Sequence, residues 1–207
     1  MDNKEKFISL LKSTNRKGVN QLLSFLEEKG FFEAPASTRF HLSKNGGLLK
    51  HSINVYDVAM KVRSAMIELD ERLKDVFPKD SVIIASLYMM FLRPIYKQCI
   101  KRQKNDNGSW VDTLGYDTDY SIFPLGHGEK SVIVLLRSGM ELTDDEIIAN
   151  RWEQWDSILV THHMNAWDLP FQSYEAKSNL NVAREHSPLL TLIQTADGLS
   201  SALIERT

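Results

Sequence analysis

The residues best suited to chemistry here are histidines and one aspartate. Of six histidines, His51 lies in GGLLKHSINVY, His127 in PLGHGEKS and His163 in THHMNAWDLP, beside aromatic and acidic residues. His41, His162 and His186 complete the set. An imidazole that ligates a metal must be neutral. His127 stands between two glycines at a helix start, where the positive end of the helix dipole disfavours its protonation. Asp197 sits in QTADGLSS, in the middle of an otherwise apolar helix pattern. A buried carboxylate needs a compensating partner. A cation would serve; a salt bridge or a solvent-facing position would account for Asp197 equally. Taken singly, each histidine is better explained as a surface or satisfied core residue. Only their convergence would make a site.

The elements that must bring them together are helical. Phe7, Leu10 and Leu11 form one short apolar face; Val19, Leu22, Leu23 and Leu26 form another, closed at Lys29-Gly30. Residues 30–45 read as a loop. The spacing of Leu48, Leu49, Ile53, Val55, Val58, Ala59, Val62 and Met66 predicts a long helix from about Gly46, with His51 one turn inside it. The glycines before it permit a close backbone approach. A second helix, capped by Asp80 or Ser81, runs through Val82, Ile83, Ile84, Leu87 and Met90 until Pro94 ends or kinks it. Residues 98–120 turn polar, and Asn107-Gly108 between two strand-like runs signals a hairpin. Helices resume near Gly128 and after Thr143, which heads a capping box with Glu146. The last helix opens on Ser187-Pro188 and carries Asp197. The expected class is mostly α with one small β-hairpin excursion (about residues 98–120). The expected organisation is one domain over 1–207, with N-terminal helices in 1–30 and the core in 31–207.

The totals narrow the function classes. A net charge of −2 gives no footprint of a nucleic-acid-binding surface. Cys99 is the only cysteine, so no intrachain disulfide forms, which fits a reducing compartment. No apolar run approaches the ~18–20 residues of a membrane span, and the charged N-terminus lacks a signal-peptide core. These features lead us to expect a soluble, cytoplasmic protein.

Several blocks, in order, resemble one family. APASTRFH (34–41), GGLLKHSINVY (46–56), FPLGHGEKS (123–131) and TADGLSS (195–201) are similar to a small bacterial and phage-type branch of the HD superfamily of metal-dependent phosphohydrolases. The likeness runs from about Val19 to Ile204. It implies an HD-domain-like helical bundle and a metal-activated water that attacks a nucleotide or another phosphate ester. By position, His51 resembles the first metal ligand and Asp197 the last. His127 and His163 resemble the extra histidines of two-metal members. Arg39 and His41 resemble residues near the pocket, and Arg39, Lys97 and Lys130 are candidates for phosphate contacts, with ordinary surface charge as the alternative for all three and the favoured one for Lys97 and Lys130.

Two departures bear on activity. The adjacent His-Asp pair that names the family falls here on Tyr88-Met89. A thioether is a poor ligand for hard cations. The remaining set, His51, His127, His163 and Asp197, still suffices for one transition ion such as Mn, Fe, Ni or Zn. Second, Glu153 to His162 reads as an insertion after Arg151-Trp152, which displaces His163 and lets His162 compete for its role. The resemblance therefore implies an impaired phosphohydrolase. The alternative is an inactive protein of the same fold, without a metal, that binds a nucleotide or a protein partner. A purely structural role, with the hairpin, Trp110, Trp152, Trp155 and Trp167 as an interface, is a third reading.

Overall fold

A computed structural model of the chain describes residues 2–37, 41–88, 96–105, 107–118, 127–152 and 174–206. These residues are mostly α-helical with one antiparallel hairpin, as the pattern predicts.

Helix α1 (Asn3–Ser13) opens on a capping box: the Glu5 amide donates to Asp2 Oδ1 at 2.7 Å and the Asp2 amide to Glu5 Oε2 at 3.1 Å. Helix α2 (Val19–Glu28) follows. Phe7, Leu11, Leu22 and Leu26 are buried, and the Phe7 ring meets Phe31 and Phe32 at centroid distances of 5.2 and 5.7 Å. The N-terminal helices thus share the core of the later ones.

Helix α3 (Gly47–Leu69) starts where the glycine pair predicts. Its fully buried residues end at Ala59, with Val62 still packed against the core; Met66 and Leu69 are exposed, so the apolar stripe outruns the body that could cover it. A short α4 (Leu73–Val76) leads to α5 (Lys79–Tyr88). Neither Asp80 nor Ser81 precedes α5. The Val82 amide already bonds the Pro78 carbonyl at 3.1 Å, and Ser81 Oγ instead donates to Glu146 Oε1 at 2.7 Å. The expected stop at Pro94 lies outside the described residues.

Strands β1 (Tyr96–Lys104) and β2 (Trp110–Thr118) pair from Tyr96↔Thr118 to Lys104↔Trp110. The connection is longer than a two-residue Asn-Gly turn. The Asn105 amide bonds the Ser109 carbonyl at 2.9 Å, and Asn105 Oδ1 accepts the amides of Asn107 and Ser109.

Helices α6 (His127–Arg137), α7 (Asp144–Trp152), α8 (Tyr174–His186) and α9 (Pro188–Leu199) complete the bundle, and a π-helical turn (Ser200–Ile204) extends α9. The Thr143–Glu146 capping box forms in both directions, at 2.9 and 3.2 Å. Ser187 occupies the N-cap of α9, but its hydroxyl makes no capping bond. Helix α8 falls where the sequence pattern offered no expectation. Helices α3 and α9 lie against each other at the centre, with α5 against both and α7 against α5 and α9. Among the described residues, no helix is long and apolar enough to cross a membrane.

Candidate functional site

The site forms where the start of α3 meets the end of α9. Gly47 lets Ala36 and Leu42 close in on the start of α3: a Cβ there would lie 2.0 Å from the Leu42 carbonyl oxygen and 3.0 Å from the Ala36 nitrogen. The Leu48 amide bonds the Ala34 carbonyl at 2.9 Å and the Gly46 amide bonds the Glu33 carbonyl at 3.1 Å, which ties residues 33–34 to the start of α3. Leu42 is left-handed at φ 49°, a costly conformation for a branched aliphatic residue. Its carbonyl holds the turn by accepting the Ala36 and Lys44 amides at 3.1 and 2.8 Å. The result sets His41 over α3, with its ring 5.1 Å from that of His51.

His51 is buried at 1% exposure, and its two nitrogens face different acids. Nδ1 lies 2.9 and 3.0 Å from the two carboxylate oxygens of Glu205. Nε2 lies 3.2 Å from Asp197 Oδ1, within ion-pair reach. Glu205, itself buried, also accepts from Asn54 Nδ2 at 2.8 Å, and its Oε2 is 3.8 Å from His41 Nε2. One ligand atom each of His41, His51 and Glu205 falls within 4.8 Å of the others.

Burial alone would lower the His51 pKa, but hydrogen bonding and charge from Asp197 and Glu205 outweigh it and raise the value to about 9. Burial alone would raise Glu205; the His51 and Asn54 hydrogen bonds and the His51 and His41 charges carry it below the usual carboxylate range. Without a metal, His51 is an imidazolium between two carboxylates. Because its folded value exceeds the unfolded 6.5, this contribution to stability is complete below pH 6.5 and disappears as pH rises through about 9. The Glu205 contribution has the opposite sense: it is present above the ordinary value and lost as pH falls through the lowered one. In chelator, wild-type thermal stability is therefore expected to decline between about pH 6.5 and 9, and that of His51→Gln to stay flat. Parallel curves for the two proteins would remove the imidazolium from the account.

Of the residues singled out by sequence, the structure brings His41, His51 and Asp197 together. His127 begins α6, whose Gly128 lies so close to α7 that a Cβ would sit 2.2 Å from the Arg151 carbonyl oxygen. Lys130 is buried at 1% exposure, so it is not ordinary surface charge. Lys97 lies in β1, opposite Asp117, and Tyr88 is the last described residue of α5. Arg39, Met89 and His163 lie outside the described residues. Glu205 was not expected. Compared with protein-family models, with curated proteins and with solved structures, the chain shows no match.

Proposed function

We propose that this chain is an HD-type metal-dependent phosphohydrolase acting on a nucleotide or another phosphate ester, weakened by the replacement of its His-Asp pair by Tyr88-Met89. The observation that carries the reading is the His51 Nε2 to Asp197 Oδ1 separation of 3.2 Å. These are the first and last ligands implied by the family resemblance, and they meet from opposite ends of the chain. The donor set fits a divalent transition ion: a buried imidazole nitrogen beside a carboxylate oxygen that is still partly open, at 26% side-chain exposure. His51 and Asp197 would hold the ion, with His127 and His163 as the further ligands implied by resemblance. When bound, such an ion polarises a phosphate oxygen and acidifies a coordinated water. The chain's own residues exclude bulk water from His51 and keep Asp197 at the open side.

Purified protein is expected to carry near-stoichiometric transition metal, lost in His51→Ala and in Asp197→Ala, and to hydrolyse nucleotides or generic phosphodiesters slowly with added Mn²⁺. Absence of both metal and turnover would sink this reading. One observation favours a non-catalytic alternative: His51 already has a carboxylate beside each nitrogen, so the cluster is held together without a cation. That alternative is supported by a nucleotide-induced rise in melting temperature without turnover.

A further inference from the structure

Glu205 has no place in the ligand set implied by the resemblance, yet it is among the most constrained polar side chains of the cluster. Its side chain is 1% exposed. An ionised carboxylate only accepts hydrogen bonds. Both oxygens lie within 3.0 Å of His51 Nδ1, and Oε1 also receives Asn54 Nδ2 at 2.8 Å. Asn54 and His51 stand three residues apart on α3, so one helix face supplies both donors. Nδ1 must then carry a proton, and the nitrogen left to face Asp197 is Nε2.

The placement of Glu205 depends on the π-helical turn. With 3.6 residues per α turn, the step from Asp197 to Glu205 would leave the two about 80° apart around the axis. A π turn rotates each residue by less, roughly 82°, so the Ser200–Ile204 turn returns Glu205 to within roughly 10° of Asp197. Within this turn Ser200 Oγ and Ser201 Oγ donate to the Ala196 and Asp197 carbonyls at 2.8 and 3.0 Å. The Glu205 amide then bonds Ser200 at 3.1 Å, a five-residue reach.

We propose that Glu205 is a positioning residue: with Asn54 behind it, it holds the His51 ring with Nδ1 protonated, so that Nε2 is presented beside Asp197 to a divalent transition metal. The metal part rests on the function proposed above. Carboxylates behind ligating histidines raise ligand basicity, and their loss weakens metal binding by about 10–100-fold.

The test uses the full chain, Co²⁺ as the probe, and the proteins wild type, Glu205→Gln, Glu205→Ala and His51→Ala. In metal-free wild type, nitrogen-resolved NMR is expected to show a His51 Nδ1–H proton protected from solvent exchange on both sides of the His51 titration. Glu205→Gln keeps an acceptor at the same reach, so the protected proton stays while Co²⁺ affinity falls about 10-fold; Glu205→Ala loses the proton and about 100-fold in affinity. Equal Co²⁺ affinity in wild type and both Glu205 variants overturns the inference, as does a wild-type Nδ1 proton that is unprotected or a neutral ring, above the His51 titration, whose single proton sits on Nε2. A protected Nδ1–H in a wild-type chain that binds Co²⁺ no better than His51→Ala leaves the ring placement standing and retires the metal reading instead.

Discussion

Glu146→Ala is expected to destabilise the chain by about 3 kcal/mol, read as a shift of the urea midpoint at pH 7. Glu146 is 0% exposed and joins three parts of the bundle. Arg16, between α1 and α2, reaches it with Nη2 at 2.8 Å and Nη1 at 3.4 Å; Ser81 of α5 donates at 2.7 Å; the Thr143 amide at the head of α7 donates at 2.9 Å. Removing the acid leaves Ser81 Oγ and a capping amide without acceptors and strips Arg16 of its charge partner. Breaking a fully buried pair costs about 3–5 kcal/mol. Arg16 is 24% exposed and also donates to the Glu141 carbonyl at 2.8 Å, so solvent and that bond soften the charge loss and favour the lower end. Glu146→Gln should fall between, because an amide keeps one acceptor but turns a donor towards other donors. Glu141→Ala is the control. Its pair with Lys17 lies in solvent, and its removal should be nearly silent. Equal effects of Glu146→Ala and Glu141→Ala would show that the buried acid carries no special share of the stability.

Restoring the missing pair is expected to give the largest functional gain. Tyr88→His with Met89→Asp should tighten divalent-metal binding by about 100-fold and raise phosphoester hydrolysis with it, because an added carboxylate and imidazole replace a phenol and a thioether that suit these ions poorly. Helix α5, described as far as Tyr88, rests on both α3 and α9, the helices that carry His51 and Asp197. The same double change in a His51→Ala background should yield little, since the imidazole meant to share the ion would be gone. Isothermal titration with Mn²⁺ and Co²⁺, followed by a phosphodiesterase assay, separates binding from turnover. A double variant that binds and hydrolyses no better than its parent would remove the match at Tyr88-Met89 from the argument.

The features legible in the sequence have causes a few residues wide. A glycine pair ahead of an apolar stripe places the start of α3, Thr143 with Glu146 heads α7, Ser187-Pro188 opens α9, and an Asn-Gly step between strand-like runs marks the hairpin. The same logic misplaced the α5 start by looking for a side-chain cap where a Pro78 carbonyl begins the ladder. His51 and Asp197 could be singled out because a histidine one turn into a glycine-led helix and an acid in an apolar helix each ask for a partner.

What those partners are was decided by tertiary structure. Glu205 stands in ALIERT, where charge near the end of a helical pattern reads as ordinary surface. Ideal α spacing turns it away from Asp197, and only the π turn brings it onto His51. Glu146 announced itself as a cap, but its burial beneath Arg16 and Ser81 depends on where α1, α2 and α5 come to rest. The sequence by itself determined the helical class and the hairpin, because periodicity and capping act over single turns, and it named three members of the cluster, His41, His51 and Asp197. Tertiary structure alone decided that both nitrogens of His51 would face carboxylates, because burial and long-range charge pairing exist only once α3 and α9 have packed together.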